Sequence, residues 1–149
     1  MQTNIHNIEV LLVEDSDEDA ELVIRSLKKH NLGNNLVHVS DGVEALDFIF
    51  ARGEFSDRSV GDIPKVILMD LKMPKMDGLQ VLKEIKKDDR TKMIPVIMMT
   101  SSKEEKDIVD SYQLGVNSFI VKPVGFENFS KAVAEFGMYW LLINQPPKM

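Results

Sequence analysis

Two kinds of hydrophobic pattern alternate along the chain. Short, almost uninterrupted apolar runs recur at residues 8–13, 36–39, 65–69, 95–99 and 118–121. Continuous apolarity, as opposed to strict alternation, marks strands buried on both faces, and this predicts a parallel sheet covered by helices. The segments between the runs carry helical spacing. Ala20, Ile24 and Leu27 share one predicted face, as do Val43, Leu46 and Phe50. Leu79, Leu82 and Lys86 follow the same spacing, with Val81 and Ile85 beside them. A fourth helix turns Ile108 and Tyr112 inward and ends at Gly115, a C-cap residue type. The longest pattern steps through Phe126, Phe129, Val133, Phe136, Trp140 and Ile143. Five βα units in 149 residues predict a small doubly wound α/β sandwich. The connection 52–63 is long, polar and glycine-bearing, and reads as a mobile surface loop.

Length and composition narrow the picture. A chain of 149 residues without repeats or Gly/Ser linkers suits one domain spanning 1–149. The formal net charge of -6 argues against gripping nucleic acid through its phosphates. The absence of Cys excludes disulfides, zinc–cysteine sites and thiol catalysis. The opening residues 1–7 are polar and lack a signal-peptide core. The longest apolar run, 138–143, falls far short of the roughly 20 residues a membrane helix needs. A cytoplasmic protein without membrane contact is expected.

In an open parallel sheet the site lies outside the carboxyl ends of the strands, at the switch in strand order. Glu14 and Asp15 follow the first run, Asp70 the third, Thr100-Ser101-Ser102 the fourth, and Lys122-Pro123 the fifth. Three carboxylates, a hydroxyl and a lysine thus converge on one edge. Carboxylates a few ångströms apart repel each other, and a divalent cation or an ammonium relieves that cost. Oxygen-only ligands with room for water suit Mg²⁺, which is readily completed by a phosphate. Taken singly, each station has a blander reading. An acidic pair ahead of a helix serves as a cap, and Ser16 with Asp19 resembles a capping box. Thr100 could be another cap and Lys122 a surface lysine. The spacing Asp15-x-Asp17-x-Asp19 mimics a calcium loop, but Ala20 and Ser26 stand where that loop needs glycine and glutamate. Asp70 resists dismissal, because a lone carboxylate closing an apolar strand is costly to bury without a partner.

The stretch Asp70-Leu71-Lys72-Met73-Pro74-Lys75-Met76-Asp77-Gly78 resembles the phosphoacceptor loop of response-regulator receiver domains. With Glu14-Asp15 upstream and Thr100 and Lys122-Pro123 downstream, the resemblance spans roughly residues 8–135, leaving 136–149 as a helical extension and tail. It implies a flavodoxin-like sheet of order 2-1-3-4-5 with five helices. It also implies that Asp70 accepts a phosphoryl group from the phosphohistidine of a sensor histidine kinase. Glu14, Asp15, Asp70 and the backbone carbonyl of Lys72 would hold Mg²⁺, with Glu14 acting mainly through water. Lys122 would pair with Asp70 and then with the phosphoryl oxygens. Thr100 would donate its hydroxyl to the phosphoryl group, Phe119 would occupy the aromatic switch position, and Pro123 would match the family's cis-proline. Such a chain is no enzyme beyond promoting its own phosphorylation and dephosphorylation. The physics agrees: phosphoryl transfer needs in-line positioning and charge neutralisation, and the added charge can bias a two-state loop.

Three departures from the family pattern stand out. The acidic pair is Glu-Asp where Asp-Asp also occurs, Phe119 replaces a frequent tyrosine, and Lys72 and Ser102 flank the path of a hydrolytic water. A haloacid-dehalogenase-like phosphatase is the rival; it needs a general acid two residues beyond the nucleophile, where this chain has Lys72. A flavodoxin-type FMN carrier fails because Glu14, Asp15, Asp17, Glu18, Asp19 and Glu21 would repel its phosphate. His6, His30 and His38 lack a helical kinase-like setting, so the chain reads as acceptor and not donor. With no effector region after the receiver, output would pass through protein contact, or the chain would serve as a phosphorelay intermediate or phosphate sink. The extension and the loop 52–63 are similar to the small regulators paired with bacterial and cyanobacterial phytochromes, which implies a phytochrome-type kinase as partner. Met138, Tyr139, Leu141 and Leu142 make the last turns apolar nearly all round. They predict a homodimer through the C-terminal helix, unless they fold back over the domain's own edge.

Overall fold

Five strands form one parallel sheet in the order β2-β1-β3-β4-β5: β1 (Val10–Val13), β2 (Leu36–Val39), β3 (Val66–Asp70), β4 (Val96–Thr100) and β5 (Ser118–Val121). The structure is a computed structural model that describes residues 10–29, 35–100, 110, 113–116 and 118–121. Each apolar run of the sequence supplies a strand, and the expected order and direction hold. Every residue of β1 and β3 is buried, whereas in β2, at the sheet's edge, only Val39 is.

Alternation along the strands sorts their side chains into two cores. Leu11, Val13, Ile67, Met69, Val96 and Met98 face α2 (Gly42–Ile49) and α3 (Gly78–Lys87). Val10, Leu12, Val66, Leu68, Ile97 and Met99 face α1 (Asp17–Lys29). Residues 108, 112, 126, 129, 133, 136, 140 and 143, assigned to a fourth and a fifth helix, lie outside the described residues. Near them, the Leu114 N–H donates to the Asp110 carbonyl at 3.0 Å, and Gly115 has φ 97. That left-handed conformation is the one expected of a glycine C-cap.

The helical faces differ in detail from the sequence pattern. In α1 the buried stripe runs Ala20, Val23, Leu27, with Ile24 only half-buried. In α2 it runs Gly42, Ala45, Leu46 and Ile49, with Phe48 also buried, while Val43 is turned outward at 43% exposure. In α3 it runs Gly78, Val81, Leu82 and Ile85. The stripes of α2 and α3 each begin at a glycine, which a search for large apolar residues overlooks. Lys86, placed on the α3 face, is half-buried and donates from Nζ to the carbonyls of Lys92 (2.9 Å) and Ile94 (3.0 Å).

The connection after α2 is packed against that helix, contrary to the expected mobile loop. It opens with a 3-10 turn at Gly53–Phe55, whose Phe55 meets Phe48 edge to face at 5.1 Å. Arg58 is only 5% exposed; its guanidinium lies 3.8 Å from the centre of the Phe48 ring. It donates to the carbonyl of Phe48 and, at 2.6 Å, to that of Asp62. Burial lowers the Arg58 pKa from its usual value, an effect that Asp62 partly offsets. A buried guanidinium that satisfies two carbonyls and stacks on a ring ties the segment down.

Candidate functional site

Because β1 and β3 are parallel neighbours, the residues that follow them emerge on the same edge of the sheet. Glu14 and Asp15 leave β1 and Asp70 ends β3. One carboxylate oxygen from each of the three lies within 4.8 Å of the others. Glu14 is fully buried, Asp70 is 7% exposed, and Asp15 is open to solvent. Bringing three like charges together, two of them shielded from water, is unfavourable without a counter-charge. The donor set is all oxygen and one member faces solvent, which fits a hard divalent cation that keeps part of its water shell.

Local structure holds Glu14 and the backbone of Asp70 in place. The Glu14 N–H donates to the Val39 carbonyl at 3.1 Å, and its own carbonyl meets His38 Nε2 at 2.8 Å. The Ser16 N–H donates to a Glu14 carboxylate oxygen at 3.3 Å, and Ser16 Oγ accepts from the Asp19 N–H at 3.2 Å. Ser16 therefore caps the start of α1, the first half of the expected capping box. Behind Asp70 the chain folds back so closely that the Gly78 N–H donates to the Leu71 carbonyl at 2.8 Å. A Cβ on Gly78 would lie 2.5 Å from the Asp70 carbonyl oxygen, so this position needs glycine. Asp77 caps α3 through a reciprocal pair with Gln80, both bonds at 2.9 Å. The loop's outer side rests on α2: a Cβ on Gly42 would meet the Met76 carbonyl at 2.4 Å, and Lys75 Nζ lies 3.5 Å from Asp41. Lys75 has φ 67, a left-handed conformation that costs a non-glycine residue about 1–2 kcal/mol.

Of the predicted stations, the structure brings Glu14, Asp15 and Asp70 together. Thr100 ends β4, and its Cα pairs with Val121, the residue before Lys122. Phe119 lies in β5, its Cα opposite Met98. Lys122, Ser102 and Pro123 lie outside the described residues. Lys72 is exposed in the loop just after Asp70. Sequence reasoning missed the Asp77–Gln80 cap, although Asp-x-x-Gln ahead of an apolar run is a legible signal. It also missed the contact of His38 with Glu14, which no local pattern announces.

An open parallel sheet of order 2-1-3-4-5 with a partly buried acidic cluster at the carboxyl end of its central strands is a flavodoxin-like fold with a candidate divalent-cation site. Residues 10–134 match the response regulator receiver domain, and the chain belongs to that family. Among curated relatives it is 38% identical over 132 residues to the response regulator Rcp1 of Synechocystis, covering 89% of this chain and 88% of that one. It is 36% identical over 138 residues to a probable methanogenesis regulatory protein, FilR2, of Methanothrix harundinacea, covering 93% and 86%. Among solved structures, the Mn²⁺-bound form of Rcp1 superposes with a TM-score of 0.84 at 36% identity, covering 94% of this chain and 99% of that one. The phosphorylated cyanobacterial phytochrome response regulator RcpA gives a TM-score of 0.86 at 35% identity, covering 95% and 99%. Response regulators of this kind are phosphorylated on an aspartate by sensor histidine kinases and bind a divalent metal at this acidic pocket. Nothing supports the phosphatase alternative.

Proposed function

We propose that Asp70 is the phosphoacceptor, because this carboxylate closes the central strand β3 within 4.8 Å of the Glu14 and Asp15 ligand atoms. A carboxylate oxygen of Asp70 forms a bond to phosphorus as the bond from phosphorus to the kinase imidazole nitrogen breaks, and the freed imidazole takes up a proton. Glu14, Asp15, Asp70 and the backbone carbonyl of Lys72 would hold Mg²⁺, Glu14 mainly through water, and the ion would supply charge neutralisation for the transferring group. Gly78 and the Asp77 cap fix the acceptor's backbone, and the burial of Glu14 keeps bulk water from the inner side of the pocket. Lys122 pairs with Asp70 and then with the phosphoryl oxygens. The Thr100 hydroxyl donates to the phosphoryl group, and Phe119 carries the switch. The chain turns over no substrate beyond its own phosphoryl group.

The wider reading is a single cytoplasmic receiver unit with a core at about 8–135, addressed by a phytochrome-type histidine kinase. The likeness to RcpA, a cyanobacterial phytochrome response regulator, supports that partner. The chain dimerises through the C-terminal region at about 136–149, which the sequence reads as an apolar helical extension and a tail. Among the described residues no helix is long and apolar enough to cross a membrane.

Intact-mass measurement with a small acyl-phosphate donor and Mg²⁺ tests the acceptor. The wild-type chain gains one phosphoryl group, the gain disappears when Mg²⁺ is chelated, and Asp70→Asn gains none. Unchanged yield in that variant overturns the assignment. Sedimentation of the full chain against one truncated after Glu135 tests the dimer, which fails if both run as monomers at micromolar concentrations.

A further inference from the structure

The geometry points to His38 as a positioning residue for the metal site, acting through the backbone that joins Glu14 to Asp15. β2 is the sheet's edge strand, and the register sets His38 beside Leu12, two residues before Glu14. Val39 and His38 then divide the main-chain groups of Glu14 between them. The Val39 carbonyl accepts from the Glu14 N–H at 3.1 Å, and His38 Nε2 stands 2.8 Å from the Glu14 carbonyl oxygen. A carbonyl oxygen only accepts, so a hydrogen bond at this distance requires the tautomer that carries its proton on Nε2.

Backbone cannot supply that donor by simply extending the β1–β2 ladder. After Val39 the chain turns away to begin α2: the Ser40 N–H goes to a Glu44 carboxylate oxygen at 2.7 Å, and Asp41 becomes the N-cap. The imidazole reaches across where the strand has left the sheet. The Glu14 carbonyl belongs to the peptide plane that leads into Asp15, so a bond to it fixes the direction in which Asp15 leaves β1. Asp15 is the exposed member of the carboxylate trio, held least by packing. Partners that orient a ligand without touching the metal typically contribute about 10–100-fold to metal affinity.

The inference rests on the reading of Glu14, Asp15 and Asp70 as a Mg²⁺ site, and the test separates the two. Mg²⁺ affinity is measured by calorimetry on the full chain, together with the metal-free melting temperature, for wild type, His38→Phe and His38→Gln. Phenylalanine keeps the ring volume and removes the donor; glutamine keeps a donor of similar reach. His38→Phe is expected to bind Mg²⁺ about tenfold more weakly, and His38→Gln to recover most of that loss. Wild-type affinity in His38→Phe, with only a lowered melting temperature, overturns the inference, as does a His38→Gln variant as weak as the phenylalanine one. A wild-type chain that takes up no Mg²⁺ overturns the site reading itself. Long-range ¹H–¹⁵N correlation on the wild-type protein, with the ring neutral, supplies a check that needs no variant to fold. Protonation at Nε2 supports the bond, and protonation at Nδ1 alone overturns it.

Discussion

Single atoms decide the placement of Asp70, the proposed acceptor. Gly78 is constrained by contact and not by its own backbone conformation: an added methyl would sit 2.5 Å from the Asp70 carbonyl and 3.0 Å from the Leu71 Cα. Both neighbours are backbone, so neither can swing aside as a flexible side chain does. Gly78→Ala is therefore expected to displace the end of β3, destabilising the fold by about 1–3 kcal/mol, the usual cost of overpacking. Because the displaced group carries the Asp70 carboxylate, Mg²⁺ binding and phosphoryl uptake should fall together with stability. Denaturant unfolding and calorimetry on the same variant check this; unchanged values in both would show that the loop has slack. The left-handed Lys75 nearby is a second sign of tight backbone, strained where the chain rounds the corner towards the Asp77 cap.

At the scale of elements, the connection between α2 and β3 behaves as an annex of α2. It enters β3 at the strand's amino end, on the opposite edge of the sheet from the carboxylates. Replacing Arg58 with Met keeps apolar bulk over Phe48 and removes the donors to the Phe48 and Asp62 carbonyls. Two partly buried carbonyls lose a charged partner, so a loss of about 2 kcal/mol is expected in denaturant unfolding, with Mg²⁺ affinity unchanged. A parallel fall in metal affinity would mean that the two edges of the sheet are coupled. The strands were legible in the sequence because burial on both faces leaves an unbroken apolar run. The acidic site was legible because parallel topology turns strand ends into a list of neighbours. What escaped depends on contacts between segments distant in sequence. Val43 carries the apolar signal but Gly42 carries the packing, since the Met76 carbonyl leaves no room for a side chain there. Arg58 reads as a loop residue until Phe48 is seen beneath its guanidinium.

The whole molecule is acidic, and its charge is unevenly placed. The first turn of α1 carries Asp17, Glu18 and Asp19 directly after Glu14 and Asp15, whereas its last turn carries Lys28 and Lys29. This arrangement stabilises the helix against its own dipole, and it also has a kinetic consequence. A small anionic phosphodonor diffusing from bulk solution must approach the pocket through a negative field. Raising the salt from 0.01 M to 0.15 M shortens the screening length from about 30 Å to about 8 Å. The initial rate of phosphorylation by such a donor, at saturating Mg²⁺, should therefore rise with ionic strength. The dependence should flatten when Asp17, Glu18 and Asp19 are replaced together by their amides. A phosphoryl group delivered on a positively charged protein surface experiences the same field as steering, and its transfer rate falls as salt is added. The sign of the salt response thus distinguishes a free donor from a carried one, and the acidic turn favours delivery by a docked partner over adventitious uptake from the surrounding metabolite pool.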